Sequence, residues 1–203
     1  MESNQLKDIA KGRMKSTPYR TGGPNLDFSR RRTSKVMYIN EKIVSKALPI
    51  SKRTELVTNF KLKDDMYGSE NFQVMNYGMG GRISLHSDSI GVKKDKTSTE
   101  QDKYGGLRIM TFMLYLSHVK AGGNTIFPQI GLTVEPEEGS ALFWFNINSK
   151  FEFDSRVFHL GCPVLFGNKW IANKWVKILP QVKNYPCSTR KDFFSVRKNK
   201  KHI

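Results

Sequence analysis

The chain has 203 residues, of which 38% are hydrophobic and 13 are Phe. That is enough apolar material for one sizeable core and too much for a disordered chain. No apolar run approaches the roughly 20 residues that cross a bilayer as a helix, so an integral helical membrane protein is excluded. The formal charge of +16 sits at the ends: residues 1–40 hold nine Lys or Arg against three acids, residues 177–203 hold eight against one, and 17 against 14 lie between. Charge confined to the tails reads as solvated termini, and no nucleic-acid module lies between them, so no nucleic-acid partner is expected.

The opening Met1-Glu2-Ser3-Asn4-Gln5 is polar and lacks the apolar stretch of a secretory leader. The expectation is a cytosolic protein, or one whose true N-terminus lies upstream. Residues 1–35 mix Gly, Pro, Ser, Thr and basic residues, with Arg30-Arg31-Arg32 near their end, and read as a flexible basic lead-in. Residues 36–62 carry a helical pattern, with Ile39, Ile43 and Val44 on one face and Leu56, Val57 and Phe60 on another. Pro49 is expected to separate the two helical segments.

From about residue 71 the texture changes to short strands between Gly-rich turns. The predicted strands are Phe72–Tyr77, Ile83–Asp88, Leu107–Leu116, Gly131–Pro136, Ser140–Asn146, Arg156–His159 and Trp170–Leu179. Lys93–Tyr104 is almost devoid of apolar residues and is expected to be a mobile loop, and residues 181–203 a basic tail. Many short strands at this spacing predict a mainly β domain over residues 36–180, a sandwich or jelly-roll barrel preceded by helices.

The chemistry is concentrated in a few side chains. On a strand the side-chain period is two, so His86 and Asp88 of His86-Ser87-Asp88 face the same way, within reach of one ion. A second imidazole from a distant strand would complete two histidines and a carboxylate on one face of an octahedral iron(II), leaving three positions open. Of the remaining histidines, His202 lies in the tail and His118 beside a Gly-Gly turn, whereas His159 lies among the apolar residues of Arg156–Gly161. His159 therefore reads either as a ligand or as an ordinary core histidine. Lys169 and Lys174, in an apolar strand, are both candidates for a buried cation that would pair with a carboxylate ligand. Cys162 and Cys187 are too few for a disulfide scaffold; they either pair in an oxidising compartment or stand as separate thiols.

Five ordered blocks carry a resemblance to a known family: Asn76–Gly81 followed by His86-Ser87-Asp88; Arg108–Leu116; Ala121–Pro128, with its Gly-Gly-x-Thr-x-Phe-Pro turn; Gly139–Asn146; and His159–Trp170. Together they resemble the prolyl 4-hydroxylases, and within them the catalytic domain of the collagen-type α subunit, over roughly Arg31 to Thr189. The resemblance implies a double-stranded β-helix with His86, Asp88 and His159 on Fe(2+) and Lys169 on the C5 carboxylate of 2-oxoglutarate. It implies that Tyr77 and Thr111 are pocket residues near the cosubstrate, that Trp175 packs the lysine strand, and that Cys162 pairs with Cys187. It further implies O2 as cosubstrate, L-ascorbate as reductant, C4 hydroxylation of peptidyl proline in a proline-rich or collagen-like polypeptide, protein disulfide isomerase as a partner, and the endoplasmic reticulum lumen as the compartment.

The chain also departs from the family pattern. The family usually has a Tyr-x-Pro before the first histidine and Phe on either side of Asp, where this chain has Ile83-Ser84-Leu85-His86 and Ser87-Asp88-Ser89. His118 and Lys120 stand where acids are common, and Arg82 after Gly80-Gly81 is unusual. These changes support an alternative expectation, a non-catalytic paralogue that serves as a binding or partner subunit.

Overall fold

The computed structural model describes residues 2–16, 19–20, 26–27, 32–40, 44–62, 68–89, 106–148 and 152–181. The helices are α1 (Glu2–Ala10) and α2 (Leu48–Thr58). The strands begin with β1 (Lys15–Ser16), β2 (Tyr19–Arg20), β3 (Leu26–Asp27), β4 (Lys35–Ile39), β5 (Phe72–Tyr77), β6 (Ile83–His86) and β7 (Arg108–Tyr115). They continue with β8 (Ala121–Gly122), β9 (Thr125–Phe127), β10 (Leu132–Val134), β11 (Ala141–Phe145), β12 (His159–Gly161), β13 (Val164–Phe166) and β14 (Lys169–Lys177).

A six-stranded sheet has the order β1-β4-β5-β14-β7-β11, and a four-stranded sheet the order β10-β9-β12-β6. Every paired strand is antiparallel to its neighbour. The alternation along β14 shows how the sheets pack. Ile171 joins Met75, Tyr77, Met113, Tyr115 and Trp144 of the large sheet and Ile83 and Phe127 of the small one in a single core between the two. Ala172, one residue on, faces the opposite way and packs with Leu6, Ala10, Ile39, Ile50, Phe72 and Val74 beneath the helices. The architecture is a double-stranded β-helix backed by α1 and α2. Among the described residues no helix is long and apolar enough to cross a membrane.

Two regions differ from the sequence reading. Residues 2–10 are not a flexible lead-in: Ser3, Leu6 and Ala10 lie on one helical stripe and are buried against the large sheet. Ser3 Oγ donates to Glu138 Oε1 at 2.5 Å and Lys7 lies 3.5 Å from the same oxygen, so the helix is also fastened by polar contacts. In the predicted helical segment 36–62, Lys35–Ile39 is instead a strand, pairing Val36 with Met75 and Ile39 with Phe72. Five residues rich in β-branched and aromatic side chains are too few for periodicity to decide, and the open edge of β5 settles the matter. Pro49 does not separate two helices but sits in the first turn of α2, where its missing N–H costs nothing. Leu56 and Val57 point to solvent at 81% and 65% exposure, while Ile50 and Thr54 form the buried face. Lys93–Tyr104 and residues 182–203 lie outside the described residues.

Candidate metal centre and cosubstrate cavity

Strand β6 ends at His86, and Asp88 lies just beyond it rather than on the strand. His86 is directly opposite His159 in the β6–β12 ladder, which brings the two imidazole centroids to 4.2 Å. The Nδ1 of His86 lies 2.9 Å from the carbonyl of Ser84, and that of His159 lies 3.0 Å from the carbonyl of Val157. A carbonyl only accepts, so each Nδ1 carries the proton and each Nε2 presents a lone pair. His86 Nε2 lies 3.7 Å from Asp88 Oδ1, and His159 Nε2 lies 3.9 Å from Asp88 Oδ2. These separations are too long for hydrogen bonds and suit ligands that each stand about 2.1 Å from a shared ion. All three ligand atoms fall within 4.8 Å of one another. His159 is gripped by Trp144 at 4.7 Å and Phe127 at 5.3 Å between ring centroids.

The electrostatics point the same way. Burial alone would raise the Asp88 carboxyl, but His159, His86 and Arg108 outweigh it and hold it at about 2. A buried carboxylate ion calls for a cation, and the Arg108 guanidinium reaches only the Asp88 backbone oxygen. Burial, with the neighbouring charge of His159, pushes His86 down to about 4. The donor set fits a divalent metal of intermediate softness.

That depressed value has a consequence for the metal-free chain. Between about pH 6.5 and pH 4 the unfolded chain takes up a proton at this histidine and the folded chain does not. Stability is therefore present above 6.5 and lost as the pH falls toward 4, by about 3 kcal/mol in all. Urea unfolding of metal-free protein at pH 7 and pH 4.5 should show most of this loss, and His86→Ala should remove it. The same loss in that variant would refute the assignment.

Beside the three residues lies a cavity lined by Tyr77, Met75, Met113, Ile171, Thr125 and Lys169, together with His86 and His159. Lys169 is only 4% exposed. It donates to the carbonyl of Gly123 at 2.6 Å and to Thr125 Oγ1 at 3.2 Å, and no carboxylate pairs with it among the described residues. Burial pulls its amine down to about 8. Next to that carbonyl, β8 and β13 approach closely at Gly122, where φ is +75° and an added Cβ would fall 2.4 Å from the Pro163 carbonyl. Arg32 Nε and Asn173 Oδ1 are buried in residues that line the same cavity and have no hydrogen-bond partner among the described residues. An enclosed cation beside unsatisfied polar atoms is a cradle for a small carboxylate ligand.

The structure thus brings together His86, Asp88, His159, Lys169 and Tyr77. Thr111 lies elsewhere: its hydroxyl is 2.9 Å from Asp88 Oδ2, behind the carboxylate rather than on the cavity wall. Lys174 faces the opposite side of β14, buried 4.8 Å above the Phe72 ring. Trp175 stacks under the Arg108 guanidinium at 3.6 Å. Arg108 in turn grips Glu70 through two contacts of 2.6 Å. Cys162 lines the cavity, and Cys187 lies outside the described residues. Sequence reasoning missed Thr125, Asn173 and Trp144; Thr125, inside the Gly-Gly-x-Thr-x-Phe-Pro turn, and Trp144, inside the block Gly139–Asn146, carried a signal.

Comparison with known proteins agrees with this geometry. The chain is 35% identical over 187 residues to prolyl 4-hydroxylase subunit alpha-1 of Rattus norvegicus, and 34% identical over 191 residues to subunit alpha-3 of Homo sapiens. These alignments cover 90% and 93% of the chain but 33% and 34% of the relatives, so the chain spans about a third of the length of the curated relatives it matches. Among solved structures, the viral collagen prolyl hydroxylase of Paramecium Bursaria Chlorella virus-1, as its 2OG complex, superimposes with a TM-score of 0.63 at 22% identity, covering 87% of this chain and 89% of that one. A Trichoplax adhaerens prolyl hydroxylase in complex with a hypoxia inducible factor peptide gives 0.56 at 16% identity, covering 87% and 74%. Residues 72–177, more than half of the chain, match the family model of the 2OG-Fe(II) oxygenase superfamily, and with the His86–Asp88–His159 cluster and the buried Lys169 inside that span, the chain belongs to this superfamily.

Proposed function

We propose that the chain hydroxylates peptidyl proline at C4, with His86, Asp88 and His159 holding iron(II) and Lys169 receiving the C5 carboxylate of 2-oxoglutarate. The observation that carries this reading is one cavity holding both the three convergent ligand atoms and an ammonium group with no carboxylate partner among the described residues. When bound, the iron supplies the oxidising chemistry, driven by decarboxylation of the cosubstrate to succinate in the presence of O2.

The residues of the chain do the rest. The Nδ1–H bonds of His86 and His159 fix both rings with Nε2 inward. Lys169 and Thr125 anchor the far end of the cosubstrate, with Tyr115 donating to Thr125 Oγ1 at 2.8 Å and holding that hydroxyl in place. Met75, Met113 and Ile171 form an apolar wall that excludes water from the reacting end. A collagen-like substrate, ascorbate as reductant, a Cys162–Cys187 disulfide, protein disulfide isomerase as partner and an endoplasmic reticulum location belong to the same reading, supported by the likeness to α subunits.

A second reading rests on Ile83. It is 7% exposed and lines the cavity with an alkyl group where the family carries a tyrosine hydroxyl. A chain that lacks this group and does not turn over would serve as a binding subunit. Succinate formation by iron(II)-loaded protein, measured with and without a proline-rich peptide alongside hydroxyproline analysis, decides between the two. Peptide-stimulated succinate with matching hydroxyproline is expected. Iron binding with no hydroxyproline would establish the non-catalytic reading.

A further inference from the structure

Asp88 poses a positioning problem. It lies two residues past the end of β6, and among the described residues no strand ladder includes it. Its carboxylate must nevertheless present one oxygen to an ion between two imidazoles. The large sheet supplies the missing constraint.

Thr111, fully buried on β7, sits in a cross-strand row between Trp144 of β11 and Trp175 of β14. Its Oγ1 lies 2.9 Å from Asp88 Oδ2, 3.0 Å from Asn146 Nδ2 and 3.3 Å from Asn146 Oδ1. A carboxylate cannot donate, so the one hydroxyl proton goes to Asp88. The remaining lone pairs of Thr111 then accept from the Asn146 amide, which sets the amide with Nδ2 toward Thr111. Asn146 is fully buried, and its backbone is pinned at both ends: its N–H donates to Ile109 at 2.9 Å, and its carbonyl accepts from Asp154 at 3.2 Å.

We propose that Asn146 and Thr111 form a two-link relay that positions Asp88 for the metal: Thr111 occupies Oδ2 and leaves Oδ1, on the His86 side, as the ligand oxygen. Both are positioning residues and neither touches the ion. The inference rests on the metal-site reading above and deepens it. Hydrogen bonds behind metal ligands commonly change affinity by about 10- to 100-fold.

The test is Co(II) titration of the metal-free full chain, with no cosubstrate or peptide present, followed by the d–d absorption of the bound ion. Thermal melting of the metal-free protein runs in parallel. Thr111→Val keeps the shape of the side chain and deletes the proton donor. It is expected to weaken Co(II) binding by roughly 10- to 100-fold and alter the Co(II) spectrum, and Thr111→Ser to restore both to near wild type. Asn146→Ala, which frees the hydroxyl to rotate, is expected to weaken binding by a smaller factor, and it stands in should Thr111→Val fail to fold. Wild-type affinity and spectrum in a folded Thr111→Val or Asn146→Ala variant would overturn the relay alone. So would a Thr111→Ser variant as impaired as Thr111→Val. Absence of Co(II) binding by the wild-type chain would instead overturn the metal-site reading.

Discussion

Alanine at His159 is expected to abolish peptide-dependent succinate formation and to weaken iron(II) binding by more than about 100-fold, beyond the range seen when only a supporting hydrogen bond is lost. The expectation follows from the ligand count. Among the described residues two imidazoles meet Asp88, and either loss leaves one nitrogen and one carboxylate, too few to hold an ion against water. His86→Ala should behave the same way. The two variants should differ in stability: His159 fills the space between Trp144 and Phe127, so its truncation should cost roughly 1–3 kcal/mol in the metal-free protein. His86 lies at the end of β6, the outermost strand of the small sheet, and should cost less. His118 is exposed and belongs neither to the ligand cluster nor to the cavity lining, and His118→Ala should leave both affinity and turnover unchanged. Wild-type-like turnover by His86→Ala or His159→Ala would end the assignment of these residues as ligands.

The strands were legible where alternation persisted over several residues. Phe72–Tyr77 matches β5 residue for residue, and the predicted Leu107–Leu116 differs from β7 by one residue at each end. Legibility failed where tertiary pairing outweighed local pattern. The predicted strand Arg156–His159 begins instead as a helical turn, Ser155–Val157, because the Asp154 carboxylate accepts the backbone N–H of Arg156 at 3.0 Å and caps it; the strand starts only at His159. The two-residue period behind His86 and Asp88 also holds less simply than expected, since the strand stops between them. Thr111 shows the limit most clearly. A hydroxyl in an apolar strand can be read from sequence as buried and therefore bonded, but its partner comes from residues 23 and 35 positions away in the chain. The docking of α1 was hidden for a related reason: its stripe of Ser3, Leu6 and Ala10 is weakly apolar and gains its burial only from the sheet beneath it.

Parity along β14 favours Lys169 over Lys174, a choice left open by the sequence. Lys169 shares its face with Ile171 and Asn173, both on the cavity, whereas Lys174 is displaced by an odd number of residues and packs over Phe72 on the helix side. Lys169→Ala is therefore expected to raise the KM for 2-oxoglutarate by roughly 10- to 100-fold. That is the loss of a charge-assisted hydrogen bond of about 1.5–3 kcal/mol in an enclosed site. Turnover at saturating cosubstrate should suffer far less, because the reacting end is held by the metal. Lys169→Arg keeps the charge but must fit a planar group between Gly123 and Thr125, and should recover only part of the affinity. Lys174→Ala should do the reverse, lowering the stability of the metal-free protein while leaving the KM alone, since Lys174 is 1% exposed and remote from the cavity. The comparison is decisive because the two substitutions are chemically identical and five residues apart. An unchanged KM in Lys169→Ala with a raised one in Lys174→Ala would mean that the cosubstrate enters from the opposite face of the sheet, and the cavity beside His86 and His159 would then hold something else.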